Sequence, residues 1–578
     1  MIPNHHKSGC RHESVFFIHC LALSVVIALF SALPGPSFAA EVQVIALGDS
    51  LTQGTMDTTD NYQNTLNAYL QKTAESLSTI VPLRFSQPLF GLREHRLRPF
   101  LTPTNLGVDG SDIFSLEGIE YYKRVGAEAS YPNDAYLCDS SLPYQFQNIY
   151  DKVLFPLNRI AGKPVSQIDA ALTLLNQQAT AQDGSFALVF LWIGNNDTSL
   201  AALGIGGSNP SYLPFPLSAI SAEITPVLRT LLETGQAQGV LNFEPYTLAA
   251  IQRNLTEVTD FTGQLNHILE RLYQENSLPQ AQTAIMLLTL PYYSVIGYLF
   301  DSEDLEFYLR QVNPAYTVPP TFQRVTQPGS PITDPFSGDR VSFFTFACMY
   351  ALLQSGYSVD YVNAILEKDG IQQDGQVMSE AEQHYIMSRV DSFNLALKTA
   401  SQAFSNVYLA DVGTYLNNTL SGIEPVAIGD RVLSRKWSRG NTFSLDGVHP
   451  SYTGQALIAN YLLNEMNRIF LVNAPLINLE QTLATDPYID RDGDGWVAGP
   501  AYPPSGLTEL LFMFTDPDDT DPSIRAVLPE NFWVRMSNIL LRELVGKPAV
   551  KQMLDSPSYP LHEVKYFRGV PETRVELP

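Results

Sequence analysis

Val42-Gln43-Val44-Ile45-Ala46-Leu47-Gly48-Asp49-Ser50-Leu51-Thr52-Gln53-Gly54 is the stretch that decides the fold. A short run, apolar except at Gln43, ends on a glycine, and an acid and a hydroxyl follow at once. Near-continuous apolarity over so few residues suits a strand covered on both faces, and such strands belong to parallel sheets. A strand of this kind delivers the residues after it to the carboxyl edge of the sheet, where open α/β folds bind their ligands. Ser50 is therefore expected at that edge. Taken alone, the turn reads more simply as a strand-to-helix junction with Ser50 as a cap, because a serine hydroxyl is a poor nucleophile without a base in reach.

Working outward, three further runs have the same character: Phe186 to Ile193, Thr283 to Leu290 and Val407 to Val412. Between them, Tyr62 to Leu77, Leu265 to Leu272 and Asp391 to Phe404 carry helical patterns. Strands alternating with helices predict an α/β fold on a parallel sheet. Leu457, Ile458, Tyr461, Leu462, Met466, Ile469 and Phe470 mark one face of a helix that closes this unit. The long interval from Pro291 to Asp391 is rich in aromatics, with proline-rich loops from Pro314 to Pro335. A large insertion at about 292–390, lying over the sheet or capping it, explains it better than a structureless loop. Its rings, Tyr292, Tyr293, Phe300, Phe307, Phe343 and Phe346 among them, are expected either to line a groove or to pack inward as a second core. Near residue 475 the α/β pattern stops. Residues 476–578 form a smaller extension, with an acidic glycine loop, a helix around Leu507 to Phe514 and an amphipathic helix carrying Phe532, Met536, Ile539, Leu540 and Leu544.

With 45% hydrophobic and 16% charged residues in 578, the chain is globular, which excludes a disordered or low-complexity protein. Lys plus Arg number 35 against 59 Asp plus Glu, a net charge of −24, which argues against nucleic acid as a partner. Residues 1–39 read as a signal peptide: Lys7 and Arg11 precede the apolar run Leu21 to Leu33, and Ser37-Phe38-Ala39 invites cleavage after Ala39 or Ala40. That run, like Val341 to Leu353, falls short of the roughly 20 residues needed to span a bilayer. The expectation is an exported protein, periplasmic or secreted, with no transmembrane segment in the mature chain. Cleavage removes Cys10 and Cys20. The remaining pair, Cys138 and Cys348, points to one disulfide in an oxidising compartment, with two free buried thiols as the alternative.

Three more blocks accompany the first. Asn105-Leu106-Gly107-Val108-Asp109-Gly110 is a glycine turn able to aim a main-chain amide into a pocket. Ile193-Gly194-Asn195-Asn196-Asp197 follows a predicted strand, so Asn196 should reach the same sheet edge, where its side-chain amide suits a developing oxyanion. Asp446-Gly447-Val448-His449-Pro450 sets a carboxylate three residues before a histidine, close enough to orient the ring as a proton acceptor. Each block is weak alone, and the four together in this order are strong.

On Gly48-Asp49-Ser50-Leu51, Asn105-Leu106-Gly107 with Gly110, Gly194-Asn195-Asn196-Asp197 and Asp446-Gly447-Val448-His449, the chain resembles the GDSL/SGNH serine hydrolase superfamily. The resemblance spans roughly residues 41–470, within a hydrolase domain placed at 40–475, and leaves the insertions unmatched. It implies a flavodoxin-like α/β/α sandwich. It also implies Ser50 as nucleophile, His449 as base and Asp446 as its orienting acid. The oxyanion hole would come from the Ser50 amide, the Gly110 amide and the Asn196 side chain, with Gly107 as the alternative to Gly110. The implied activity is hydrolysis of carboxylic esters, lipid or other acyl esters, through an acyl-enzyme without a catalytic cofactor. An acyltransferase, a carbohydrate acetylesterase and a catalytically silent binding protein are the alternatives. His95, His267 and His384 have no companions at metal-ligand spacing and read as surface or core residues.

A second signal is Asp490-Arg491-Asp492-Gly493-Asp494-Gly495-Trp496. Asp490, Asp492 and Asp494 followed by glycine match the first half of a calcium loop. The twelfth position is Ala501, which offers no carboxylate. Glu509, or Asp516, Asp518 and Asp519, are the candidates to complete it, and an acidic solvated turn is the alternative. A cation here would be structural, since the loop lies outside the four blocks.

Overall fold

The computed structural model describes residues 41–536 and residue 539, apart from 92–94, 127–129, 142–147, 182–184, 205–211, 215, 221, 223–225, 227–228, 230–242, 327–329, 331, 333, 368–374, 503–507 and, near the end, 537–538. The expected signal peptide at 1–39, Leu507, Leu540 and Leu544 fall outside the described residues.

Five strands form one parallel sheet: β1 (Val42–Gly48), β2 (Leu83–Arg84), β3 (Phe186–Trp192), β4 (Thr283–Leu288) and β5 (Val407–Ala410), side by side in the order β2-β1-β3-β4-β5. All six residues of β4 are buried, as are the last six of β1 and of β3, so the apolar runs serve the purpose their sequence implies. β1 and β3 run in register from Val42 opposite Phe186 to Gly48 opposite Trp192. The sequence carries no strand signal for β2, which is only two residues long. Beyond it, the Thr104–Val108 segment takes over beside β1: Ala46 donates to Thr104 O, and Leu106 and Val108 donate to Ala46 O and Gly48 O.

Ten helices position the site: α1 (Ser50–Gln53), α2 (Tyr69–Ser78), α3 (Gln167–Ala181), α4 (Asn196–Leu203), α5 (Val258–Gln274), α6 (Ser302–Val312), α7 (Phe343–Gln354), α8 (Glu380–Ala403), α9 (Val412–Ser421) and α10 (Tyr452–Phe470). The helices α3, α5 and α8 pack against one another in a row, with α3 on β1 and α8 on β4 and β5, while α2, α10 and α9 form a second row. The sheet is thereby flanked by helices, as an α/β fold requires. The helical pattern from Tyr62 to Leu77 is interrupted. A single turn, Tyr62–Thr65, is capped by Asn61, and α2 starts afresh after Ala68, whose ψ of 151° is extended. The Tyr69 amide is drawn away to Gln455 Oε1 of α10, at 2.9 Å, which is why the two pieces do not fuse.

Among the described residues, no helix is long and apolar enough to cross a membrane. Cys138 and Cys348 are free and buried, so of the two expectations for this pair the unbridged one holds. Cys138 bridges to Val165 through main-chain bonds, whereas Cys348 lies on α7.

Candidate active site

Register alone brings the first and third blocks together. Gly48 stands opposite Trp192 at the ends of β1 and β3, so Ser50 and Asn196 emerge two and four residues further on at the same edge. Gly48 has to be a glycine: a Cβ there would lie 2.4 Å from the Trp192 carbonyl oxygen and 2.3 Å from Thr52 Oγ1. Asp49 then caps α1 by accepting from the Leu51 amide, and its other oxygen accepts from Asn195 Nδ2 at 2.9 Å. Burial pushes the Asp49 carboxyl up to about 6 against the pull of that Asn195 bond.

The fourth block arrives on the turn before α10. His449 Nε2 lies 2.9 Å from Ser50 Oγ, and His449 Nδ1 lies 2.7 Å from Asp446 Oδ2. Asp446 is held from every side. Its Oδ1 accepts from the Val448 and His449 amides and the Ser444 hydroxyl, and its Oδ2 accepts from the Thr58 amide at 2.9 Å. Burial opposes its ionisation, but His449 and these donors hold the carboxyl below its ordinary range. Burial would likewise push the His449 imidazole down. Asp446, reinforced by Asp109 and Asp49, more than offsets that and lifts it to about 9.

Asn196 begins α4 and faces the same space. Its Nδ2 donates one hydrogen to Ser111 O at 3.0 Å and its Oδ1 accepts from Ser199, which leaves the second amide hydrogen for a ligand. The two glycines of the second block separate by role. The Gly107 amide is taken by Asn105 Oδ1, and a Cβ at Gly107 would come within 2.7 Å of Thr52 Cγ2, so this glycine serves close packing. Gly110 is exposed in a left-handed turn (φ 74°), and its amide faces the Asp109 carboxylate.

Ser50, His449, Asn196 and Asp109 open into one cavity of about 340 Å³. The rest of its wall is chiefly apolar, with Leu200 and Leu203 from α4, Leu416 and Leu420 from α9, and Leu457 and Ile458 from α10. Of the aromatics expected to line a groove or pack inward, only Tyr292 and Tyr293 reach the cavity. Phe300, Phe343 and Phe346 instead pack inward with Tyr308, Trp437 and Phe514 in an aromatic cluster continuous with the main core, and Phe307 stacks under Arg439 at its border. Large rings bury more area against each other than along a narrow slot, and aliphatic side chains from helices line the slot instead.

Several supporting residues had no sequence signal. Gln167, at the start of α3, clamps the end of β1, accepting from the Gly48 amide and donating to the Gly48 carbonyl, both at 3.0 Å, and it also donates to Ser111 Oγ. Asp57 and Thr58 both adopt left-handed backbone (φ 54° each), a costly state for such residues. This pair interlocks with 444–446. Asp57 accepts from the Leu445 amide, the Asp57 amide donates to Ser444 Oγ, and the Thr58 amide reaches Asp446. Asp57 Oδ2 in turn accepts from Tyr488 and Tyr502, so residues of the extension brace the loop that holds Asp446.

His95, His267 and His384 are exposed, with His267 3.4 Å from Glu117. Asp490, Asp492 and Asp494 gather their carboxylates within 4.8 Å, and Asp492 belongs equally to a second group with Asp516 and Asp519. None of the five lines the cavity, and Ala501 is exposed. Compared with known proteins, the chain matches no family model, no curated protein and no solved structure.

Proposed function

We propose that the protein is a serine hydrolase of the GDSL/SGNH type that cleaves carboxylic esters through an acyl-enzyme on Ser50. The observation that carries this reading is the continuous hydrogen-bonded line Asp446–His449–Ser50, opening into an apolar cavity beside a free Asn196 amide hydrogen. The strand order 2-1-3-4-5 supports a flavodoxin-like sandwich, whose crevice lies at the carboxyl ends of the strands where Ser50 and Asn196 emerge. Residues 292–390 are taken as an insertion that supplies Tyr292 and Tyr293 to the cavity and packs the rest of its rings away from it.

In the first step Ser50 Oγ bonds to the ester carbonyl carbon while its proton passes to His449 Nε2. The carbonyl electron pair moves onto oxygen, where the Asn196 side chain and the Ser50 amide stabilise it, with the Gly110 amide as third donor once it leaves Asp109. Collapse expels the alcohol, which takes the proton from His449. Water then gives a proton to the same nitrogen and attacks the acyl carbon; the bond from that carbon to Ser50 Oγ breaks, Oγ takes the proton back from His449, and the acid is released. Asp446 stays ionised throughout and stabilises the imidazolium. Apolar walls favour an acyl chain over a sugar, so lipid or other medium-to-long acyl esters are the substrate class. Export by removal of residues 1–39 belongs to the same proposal.

An organophosphonate should label Ser50, and Ser50→Ala or His449→Ala should abolish ester hydrolysis. Asn196→Ala should lower turnover by about 10²–10³-fold. Labelling at another serine, or full activity in Ser50→Ala, would overturn the mechanism. Esters of graded chain length test the substrate half: a strong preference for acetyl groups would leave the chemistry standing and remove the lipid assignment.

A further inference from the structure

The strongest unexplained feature outside the catalytic cavity is a pocket of negative charge in the extension. Asp490, Asp494, Asp516 and Asp519 are 5%, 6%, 4% and 7% exposed. Carboxylates so deeply buried normally have partners for both oxygens, because an unpaired buried charge is among the costliest things a fold can hold. Here they do not. Asp492 Oδ2, Asp494 Oδ2 and Asp516 Oδ2 are all buried and make no hydrogen bond. Among the described residues, the only ion pair to the five aspartates is Arg491 Nε to Asp519 Oδ2, at 3.9 Å.

The partnered oxygens show how the others are aimed. Asp490 accepts from the Gly493 and Gly495 amides, Asp494 Oδ1 from the Trp496 amide, and Asp516 Oδ1 from the Asp518 amide. Each side chain is thus fixed by the main chain through some of its oxygens, while the orphans of Asp492, Asp494 and Asp516 are held in place with nothing to bind. Two groups of ligand atoms, Asp490/Asp492/Asp494 and Asp492/Asp516/Asp519, each lie within 4.8 Å and share Asp492.

We propose that Asp490, Asp492, Asp494, Asp516 and Asp519 form a binding site for Ca²⁺. The donor set is all hard oxygen, which suits Ca²⁺ or Mg²⁺ over softer metals, and a set drawn from two loops tolerates the larger, less regular shell of calcium. The ion's charge answers the three orphaned oxygens directly. It also explains why the contiguous loop lacks an acid at Ala501: the second loop, at Asp516 and Asp519, supplies the missing carboxylates. The bound ion would tie these two loops together on α6, where Gln311 donates to Asp494 O and accepts from the Trp496 indole. The site stands independently of the esterase assignment.

Buried Trp496 beside the site offers a direct readout, since an excited indole sensitises bound Tb³⁺. Full-length protein stripped with chelator is expected to bind Tb³⁺ with sensitised emission that Ca²⁺ displaces and Mg²⁺ displaces far less well. Millimolar Ca²⁺ is expected to raise the melting temperature. Asp494→Asn and Asp516→Asn, one from each loop, should each weaken binding by about tenfold or more, whereas exposed Asp521→Asn should not. Absence of both emission and a Ca²⁺-dependent melting shift in the wild-type chain would overturn the site, whatever the variants do. Undiminished binding in both variants would do the same, and preferential displacement by Mg²⁺ would overturn the assignment to calcium.

Discussion

In the proposed mechanism His449 must be neutral to accept a proton from Ser50, and its surroundings oppose that state. Burial favours the neutral ring, but Asp446, Asp109 and Asp49 together raise its pKa to about 9. The rising limb of kcat/KM with pH is therefore expected above neutrality, well past the 6.5 or so of a free imidazole. Asp109 makes this testable, because it lines the cavity while Asp446 and Asp49 do not. Asp109→Asn removes one negative neighbour and should move the limb to lower pH without abolishing turnover. A limb that stays in place would mean that Asp446 and Asp49 set the pKa of His449 without Asp109.

Two loops far apart in sequence are interlocked to hold Asp446, the orienting acid of the proposed mechanism, and the brace comes from the extension. Tyr488 and Tyr502 donate to Asp57 Oδ2 at 2.5 and 2.6 Å, and Asp57 and Thr58 grip Leu445 and Asp446. Tyr488→Phe with Tyr502→Phe leaves a buried carboxylate short of two donors. Above about pH 8, where Asp57 is ionised, the double variant should lose about 3 kcal/mol or more of stability, the scale of hydrogen bonds to a charged group. It should also lower kcat about tenfold, through looser placement of Asp446, with KM nearly unchanged because neither tyrosine lines the cavity. A drop in melting temperature with kcat intact would show the brace to be structural only. The same contacts mark the limit of what sequence reveals. The strands were legible because burial on both faces imposes continuous apolarity, and Asp446 and His449 were legible because three residues of spacing suffice to bring them together. Gln167 meets Gly48 across 119 positions and Tyr488 meets Asp57 across 431. No local pattern encodes such pairings. β2 was missed because two residues hold no period, and the rings of Phe300, Phe343 and Phe346 carry the same sequence signature whether they face a groove or each other.

Across the whole molecule, titration sets stability and activity against each other. Burial raises Asp49 to about 6, and both Asp57 and Asp197 to about 7, so the folded state holds protons that the unfolded chain releases near pH 4. A folded pKa above the unfolded one contributes stability below the unfolded value and loses it as pH climbs through the folded value. These aspartates thus make the protein less stable as pH rises from about 4 to 7, and His449 continues the loss from about 6.5 to 9. Asp301, buried against Arg435 and Lys436, and Asp446 shift the other way: their contribution is present above about pH 4 and disappears on acidification below it. The net charge of −24 adds self-repulsion on the alkaline side. Melting temperature should accordingly peak in mildly acid solution, near about pH 5, and fall steadily to pH 9, while kcat/KM rises over the upper half of that range. Reductant should leave the melting curve unchanged, since Cys138 and Cys348 are unbridged. A melting temperature that is flat or rising between pH 5 and 9 would show that the buried aspartates are ionised at little cost and that His449 titrates near its ordinary value.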